Sequence, residues 1–426
     1  MDISSWKEKI KNTIAGLDLR HPWEDPEDED DWEDFDLKDD YITGAENAGG
    51  DLTEEFVLSR PVLIAVTAVL ILAALIAYHV FSRRHLYTSY SVVRSYESDD
   101  ISGTMYERLG SVYVKYGSDG LFVVNAKNET IWSVAYTIQS PIAAVCGETM
   151  AIAEQQGSQV VVLDKDGEIG TYTTDLPIIG VSVSENGVTL LRLRDGDAMR
   201  LRMYATDGST IAEIKTTLED TGYPLAAAMN DDATHVMLSC VRIGDGEVDS
   251  RILFYDFRKA QQADSEHMTV AYDYADMVFP TLYYTDGNVP VAVGSDGFAV
   301  FTTGAAPDEK EFVAVEEEIR STFYDDDYVG FIFDSEDTTL RYRMEVYRLN
   351  GRQTMSEDFD ASYTDVCMDG GEILLWDEGN CQAWTVKGIQ RLKTATDVKV
   401  SRFFKVAGFR QYLIVSESGM TFIKAE

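Results

Sequence analysis

The sequence predicts an all-β fold, an eight-bladed β-propeller that follows one transmembrane α-helix. An uncharged run of 21 residues, 61–81, precedes a long region rich in Val, Ile, Tyr, Phe and Thr, which Gly, Asp and Asn interrupt. Paired strand segments recur in that region at a spacing of about 40 to 50 residues. Four strands per repeat at this spacing are typical of a β-propeller.

We divide the chain into four parts on these grounds. Residues 1–20 are predicted to form an amphipathic N-terminal helix, 21–60 an acidic disordered linker, 61–81 the transmembrane helix and 86–426 the propeller. The formal net charge is −38. Because a phosphate backbone needs a basic surface, we expect no nucleic-acid partner.

The first segment of the N-terminal part, residues 3–17, allows two interpretations. Residues 3–17 carry apolar side chains at intervals of three and four, which predicts a short helix that lies on an anionic membrane or docks to a partner. A weakly helical tail is the alternative, because isolated helices of this length are marginal in water.

In Glu24–Asp40, 12 of 17 residues are acidic, which predicts a solvated spacer. A short motif for a basic partner, built on Trp23, Trp32 and Phe35, is the alternative.

The run Pro61–Phe81 predicts a single span whose partner is the lipid bilayer. As a helix it would extend about 30 Å, which matches the hydrocarbon core of a membrane. A helix buried in a soluble protein is rarely apolar on every face.

The charges that flank this run bear on its orientation. Arg83 and Arg84 follow it and only Arg60 precedes it, which taken alone favours a cytoplasmic propeller. Long domains, however, translocate largely regardless of charge, and the reverse orientation would require the acidic N-terminal part to cross. We therefore expect a single-pass protein of the cell membrane with a cytoplasmic N-terminus and an extracellular propeller.

The repeat after the span consists of two successive hairpins. The second hairpin is clearest at 120–134, 159–173, 200–214 and 343–357, and its turn residues are of types that tolerate positive φ. Two further strands precede it, as in "GVSVSENGVTLLRL" (180–193). The spacings between successive turns are 39, 41, 51, 45, 47 and 37 residues. The predicted turns are centred on Asn128, Gly167, Gly208, Lys259, Gly304, Gly351 and Gly388.

The C-terminal segment predicts how the ring closes. "GMTFIKAE" (419–426) has the character of a third strand whose fourth is missing. "YTSYSVVRSYE" (87–97) has strand composition and no other obvious partner, so we expect it to pair with the C-terminal strands. Closure gives eight blades, with seven as the alternative if the long stretch 240–275 is divided wrongly. It also leaves only short, protected strand edges.

Two resemblances follow from these segments. "LFVVNAKNETIW", which ends at Trp132, resembles the repeat of quinoprotein-like (PQQ-type) propellers, in which the tryptophan docks between blades. Trp376 and Trp384 are expected in other strands. The layout of acidic tail, span, "YTSYSVVRSYE" and strands also resembles an uncharacterised family of single-pass membrane proteins from Gram-positive anaerobes, a domain of unknown function. That resemblance implies a surface-anchored propeller and no particular activity.

The sequence assigns no catalytic, cofactor-binding or metal-binding residue. It contains no HExxH, GxSxG, P-loop or GxGxxG motif, and the two histidines of the predicted propeller (86–426), His235 and His267, have no spaced partners. "DKDG" (164–167) and "YDDDY" (324–328) are expected to be turns, with Ca²⁺ sites as the alternative.

The four cysteines are far apart in the sequence. Cys146, Cys240, Cys367 and Cys381 form no CxxC pair, so we expect small buried thiols. A disulfide between Cys367 and Cys381 is the alternative.

These features together favour a binding module. We expect a membrane-anchored scaffold that binds protein, peptide or glycan ligands at the propeller face, which some of the 23 tyrosines would line. One alternative is a surface hydrolase or lyase that acts on polysaccharide with paired carboxylates. The other is a transmembrane sensor that signals through the N-terminal tail. A clustered carboxylate pair with perturbed pKa values in the central funnel would favour the enzyme.

Overall fold

The computed structural model describes residues 67–76, 81, 84–196, 198–216, 219, 221–244, 247–258 and 267–426. The predicted N-terminal helix, the acidic linker and parts of the predicted span, 61–66 and 77–80, lie outside the described residues. Residues 67–76 are helical and expose their apolar side chains. In the part of the chain just defined, no helix has both the length and the hydropathy that crossing a membrane requires.

Within the described residues, 32 strands form eight four-stranded antiparallel sheets. We number the sheets as blades in chain order, from the innermost strand of each outward. Blade 1 contains β2 Met105–Leu109, β3 Val112–Tyr116, β4 Gly120–Val124 and β5 Thr130–Ala135. Blade 2 contains β6 Pro141–Cys146, β7 Thr149–Glu154, β8 Gln159–Asp164 and β9 Glu168–Thr173. Blade 3 contains β10 Ile178–Val183, β11 Thr189–Asp195, β12 Ala198–Tyr204 and β13 Thr210–Thr216.

The remaining blades repeat this order. Blade 4 contains β14 Tyr223–Met229, β15 His235–Gly244, β16 Glu247–Asp256 and β17 Met268–Tyr274. Blade 5 contains β18 Thr281–Tyr284, β19 Pro290–Gly294, β20 Gly297–Phe301 and β21 Glu309–Ala314. Blade 6 contains β22 Ser321–Tyr324, β23 Tyr328–Asp334, β24 Tyr342–Arg348 and β25 Gln353–Phe359. Blade 7 contains β26 Asp365–Asp369, β27 Glu372–Trp376, β28 Asn380–Thr385 and β29 Gln390–Ala395. Blade 8 contains β30 Arg402–Lys405, β31 Gln411–Ser416, β32 Gly419–Ala425 and β1 Tyr90–Glu97.

The predicted all-β, eight-bladed fold is confirmed, and the seven-blade alternative is wrong. The described strand residues of the long stretch 240–275 belong to a single blade, blade 4. Its strands β15 and β16 have 10 residues each and pair from His235↔Asp256 to Gly244↔Glu247. Longer strands therefore account for the long spacing at this repeat.

The predicted hairpin turns that the structure describes join the third and fourth strands of blades 1 to 3 and 5 to 7. Five of the predicted turn residues have positive φ, namely Asn128, Gly208, Gly304, Gly351 and Gly388. Gly167 lies in its turn without positive φ, and Lys259 lies outside the described residues. The turn assignments are thus confirmed at six of the seven places.

Strand β1 closes the ring as predicted. It pairs antiparallel with β32, with Val92 opposite Ile423 and Arg94 opposite Phe422, and a bulge falls between them. The Arg94 guanidinium lies 4.7 Å from the centroid of the Phe422 ring. The outermost strand of blade 8 therefore comes from the segment just before blade 1.

The core lies between the blades. Among the described side chains, eight buried hydrophobic clusters each join two consecutive blades, and one of them joins blade 8 to blade 1. In β8, Val161 and Leu163 face the cluster shared with blade 1, whereas Val160 and Val162 face the one shared with blade 3. Since successive side chains of a strand point to opposite faces, a strand buried on both faces must be apolar throughout. This explains runs such as "QVVVLD".

A buried ion pair fixes the segment between β1 and blade 1. Lys115 on β3 is only 5% exposed, and its Nζ donates to Asp100 Oδ2 at 2.7 Å and to Ser98 Oγ at 2.9 Å. The Tyr106 hydroxyl donates to the same carboxylate at 3.0 Å. The Lys115 ammonium and the Tyr106 hydroxyl thus both donate to side chains of one short segment, 98–100.

Trp132 docks between blades as the PQQ-type resemblance implied. It lies on β5, and its Nε1 donates to the carbonyl of Lys165 in the outer turn of blade 2 at 3.0 Å. Trp376 and Trp384 lie on β27 and β28, so they occupy other strands, as expected.

Candidate functional site

The candidate site is the end of the central channel at which the turns between first and second strands meet. A cavity of about 390 Å³ opens there, lined by the innermost strands of blades 2 to 6. Those strands run in the same direction, so the residues that follow them come together at one end. Four such residues, Asp231, Asp286, Asp325 and Asp326, form what we call the acidic mouth.

Hydrogen bonds between consecutive turns hold the acidic mouth in place. The amide of Glu185 donates to the carbonyl of Asp231 at 3.0 Å, and the amide of Asp231 donates to Asn288 Oδ1 at 3.2 Å. The amide of Asp286 donates to Asp326 Oδ1 at 2.8 Å. Blades 3 to 6 are thereby linked around one side of the channel.

The carboxylates of the acidic mouth repel one another. Burial, followed by the charges of Asp286 and Asp232, raises the pKa of Asp231. Burial and the charges of neighbouring aspartates likewise raise the pKa of Asp325 and of Asp326. No lysine or arginine among the described residues forms an ion pair with these groups, so no described cation neutralises their charge.

A pair of tyrosines lies beside these carboxylates. The rings of Tyr283 and Tyr324 stack with centroids 4.2 Å apart at an interplanar angle of 15°. The Tyr283 hydroxyl donates to the carbonyl of Asp325 at 3.3 Å, and Tyr324 remains 38% exposed. The mouth therefore combines negative charge with an accessible aromatic face.

On the opposite side of the same channel end, the carboxylate of Asp369 is paired with a cation. Arg108 of blade 1 pairs with Asp369 of blade 7, and its Nη1 donates to the carbonyl of Lys405 of blade 8 at 2.8 Å. The amide of Lys405 donates to Asp369 Oδ2 at 2.8 Å. These contacts join blades 7, 8 and 1. The carboxylates without a cationic partner among the described residues therefore lie at blades 4 to 6.

All four cysteines are free thiols, and no disulfide joins Cys367 to Cys381. Cys240 and Cys381 are buried, as expected, whereas Cys146 and Cys367 are only partly buried. Cys146 lies at the end of β6 and donates to Asp231 Oδ1 at 3.4 Å. Burial, together with the charge of Asp231, raises the pKa of Cys146 to about 12. Because the thiolate is the nucleophile, this thiol is poorly suited to nucleophilic catalysis.

Both predicted Asp-rich turns use carboxylates to accept hydrogen bonds from their own backbone. Asp164 Oδ1 accepts from the amides of Asp166 and Gly167 at 2.7 and 2.9 Å. Asp325 Oδ1 accepts from the amides of Asp327 and Tyr328 at 2.9 and 2.8 Å. The first turn is on the outside of blade 2, whereas the second belongs to the acidic mouth.

The two histidines of the predicted propeller region, His235 and His267, both lie at blade 4. His235 Nε2 lies 4.0 Å from Asp256 Oδ1, and the carbonyl of His267 accepts from the Asp256 amide at 2.9 Å. Burial lowers the pKa of His235. Within the described ranges, no group of three or more His, Cys, Asp or Glu side chains has an arrangement that could hold a metal ion.

The sequence interpretation missed most of this site. It singled out Asp325 and Asp326 as part of a turn, and it did not connect them with Asp231 or Asp286. A signal was available, because an acidic residue follows the innermost strand in each of blades 3 to 6, beginning with Glu185. Aligning the repeats on their first strands would have shown it.

The fold and the channel end define a closed β-propeller with an acidic entrance. The chain belongs to DUF5711, a family of unknown function, which matches residues 82–425. Membership of a domain of unknown function is thereby confirmed. Comparison with curated protein sequences gives no match.

Several solved structures have a similar fold. BamB from Moraxella catarrhalis has a TM-score of 0.49 and 12% identity, over 79% of this chain and 100% of that chain. Apo AztD from Citrobacter koseri has a TM-score of 0.47 and 9% identity, over 70% and 87%. The Neurospora crassa Pan2 WD40 domain has a TM-score of 0.41 and 11% identity, over 67% and 87%. At such identities the likeness concerns the fold alone.

Proposed function

We propose that this propeller is a binding module that accepts basic side chains of a partner polypeptide at its acidic mouth. The observation that carries the proposal is the meeting of Asp231, Asp286, Asp325 and Asp326 without a neutralising cation among the described residues. A bound Lys or Arg would relieve their mutual repulsion, since an opposite charge nearby favours the ionised form of a carboxyl.

The aromatic pair supports a cationic ligand further. A lysine ammonium or arginine guanidinium is attracted to the face of a tyrosine ring, and the Tyr324 ring is accessible beside the carboxylates. A neutral glycan would use the ring but would leave the repulsion between the carboxylates in place. We therefore favour a basic polypeptide over a glycan.

The surface hydrolase is a second candidate. The observation in its favour is that the pKa values of Asp231 and Asp326 are both raised at the same mouth, as an acid catalyst requires. We rank it second because burial and like charge raise the pKa values of several carboxyls together, whereas a glycosidase needs one protonated and one ionised carboxyl. The sensor hypothesis depends on residues outside the described ranges.

Replacing Asp231, Asp286 and Asp326 together by Asn is expected to weaken the binding of an oligolysine peptide about tenfold or more, because interfacial charge pairs are lost. The measurement is calorimetric titration of the full chain in detergent micelles. Binding to the unsubstituted chain should also weaken as the pH falls, and this loss should begin at a higher pH than an unperturbed aspartate would give, because the pKa values of Asp231 and Asp326 are raised.

The matched control removes three acidic charges at the other end of the channel, through Asp276→Asn, Glu316→Gln and Glu336→Gln. All three side chains are exposed, and they lie in inter-blade links or in a turn between second and third strands. This control should bind like the unsubstituted chain. Equal losses in the two triple variants would show that only net charge matters and would contradict a site at the mouth.

We propose in addition that residues 61–81 anchor the propeller in a membrane, with the N-terminus cytoplasmic and the propeller extracellular. The uncharged run and the exposed apolar side chains of helix 67–76 support this proposal. Protease treatment of intact cells should remove a C-terminal epitope and spare an N-terminal one. Loss of the N-terminal epitope alone would reverse the orientation.

A further inference from the structure

A second charged group, the guanidinium of Arg192, lines the same cavity further along the channel from the acidic mouth. Arg192 lies on β11, the second strand of blade 3, opposite Gly180 on the innermost strand β10. Its guanidinium passes over Gly180 and donates from Nη1 to the carbonyl of Leu225, at the irregular start of β14 in blade 4. Arg192 thus crosses from one blade to the next and lines the cavity in the channel.

The glycine at position 180 makes this route available. A Cβ built on Gly180 would lie 2.4 Å from Nη2 and 2.5 Å from Nε of Arg192, closer than any side chain tolerates. Any larger residue here would therefore displace the guanidinium from the channel. Several other residues that line the cavity have small side chains, among them Ala144, Ala226 and Ala227. They leave room next to Arg192.

Among the described residues, the charge of Arg192 has no partner of opposite sign. No carboxylate in the described part of the chain forms an ion pair with it, and its one bond from Nη1 goes to a backbone carbonyl. Burial lowers the pKa of the guanidinium, which nevertheless stays protonated in proteins. A partly buried cation without a counterion, facing a cavity, is an anion-binding group.

The two charged features are separated along the channel axis. Gly180 lies three residues before Val183, where β10 ends at the mouth. At about 3.3 Å per residue this is about 10 Å. A ligand that contacts both must therefore carry an anion and a cation about three extended residues apart, which exceeds the reach of a single amino acid.

We propose that Arg192 binds the C-terminal carboxylate of a peptide whose basic side chain occupies the acidic mouth. This inference rests on the proposed function and specifies its ligand as a polypeptide C-terminus that enters the channel. A carboxylate matches the planar fork of a guanidinium, which presents paired N–H donors. A phosphate dianion is less suitable, because one arginine would neutralise only part of its charge close to four aspartates.

The test compares two forms of one short peptide, which has a lysine three residues before its end and carries either a free C-terminal acid or an amide. The full chain in detergent should bind the acid at least about tenfold more tightly than the amide, since an interfacial charge pair is lost in the amide. Arg192→Gln should abolish this difference by weakening only the acid. Gly180→Ala should do the same without changing any charge.

The matched control is Arg194→Gln, which removes an exposed arginine two residues further along β11. It should retain the preference for the acid. Thermal melting of each variant checks that the propeller is folded, and Gly180→Ala and Arg192→Gln test the same contact independently.

Three outcomes would overturn the inference, and they are distinguishable. If the acid and the amide bind equally while the Asp231, Asp286 and Asp326 variant still loses binding, the carboxylate contact is wrong and the basic-peptide function stands. If neither peptide binds the unsubstituted chain, the proposed function fails and the carboxylate contact fails with it. Competition by inorganic phosphate as strong as that by acetate would also contradict a carboxylate site.

Discussion

A chain that lacks Tyr90–Glu97 is expected to lose the cooperative unfolding of the propeller. These residues form seven pairs with β32, and Tyr90 and Tyr96 pack against the clusters that join blade 8 to its two neighbours. Cross-strand pairs contribute up to about 1 kcal/mol each, and the tyrosines add buried apolar area. The expected loss is about 5 kcal/mol or more, which is comparable to the whole stability of a domain. Thermal melting followed by circular dichroism, together with limited proteolysis, measures it.

The matched control for this deletion is Val93→Ala. Val93 lies in the bulge of β1, has no partner on β32 and is 48% exposed. Its truncation should change the free energy of unfolding by less than about 0.5 kcal/mol. A deletion variant that melts as sharply and at the same temperature as the full chain would show that β1 does not close the ring.

Asp100→Ala is expected to lower the free energy of unfolding by about 3 kcal/mol or more. The substitution leaves the Lys115 ammonium buried without its carboxylate partner, and removing one member of a buried ion pair typically has an effect of this size. The Tyr106 hydroxyl loses its acceptor as well. Chemical denaturation of the full chain provides the measurement.

Asp99→Ala is the matched control, because Asp99 is the preceding residue and its side chain is exposed. It should have little effect on stability. Combining Asp100→Ala with Lys115→Met should recover much of the loss, since a methionine needs no counterion in this position. Equal melting of the Asp99 and Asp100 variants would mean that the ion pair does not stabilise the segment.

Local rules were sufficient to predict much of the fold. Each blade has its own turn chemistry, as at Gly208 and Gly351, and strands such as β8 are apolar throughout because both faces are buried. Neither the strand segment 87–97 nor the segment 419–426 had another strand to complete its sheet, which predicted that the two pair with each other. The length of β15 and β16 did not follow from such rules, because nothing local limits how far a hairpin extends.

The candidate site was harder to predict, because it is assembled from different blades. Asp231, Asp286 and Asp326 are far apart in sequence, and each alone is an ordinary turn residue. Their proximity depends on the ring, which brings equivalent positions of successive repeats to one channel end. The position of Arg192 was even harder to predict from the sequence. Its orientation depends on the absence of a side chain at Gly180 and on a carbonyl in the next blade.

The closing strand also has a consequence for biosynthesis. β1 emerges from the ribosome before any blade, yet it pairs with the last strand in chain order, and the contact between Ser91 and Glu426 spans 335 residues. Blade 8 therefore stays incomplete until translation has passed the C-terminal strands, however early the other blades form. Nascent chains stalled before residue 419 should expose an unpaired β1, which makes this strand a natural point of contact for chaperones during synthesis.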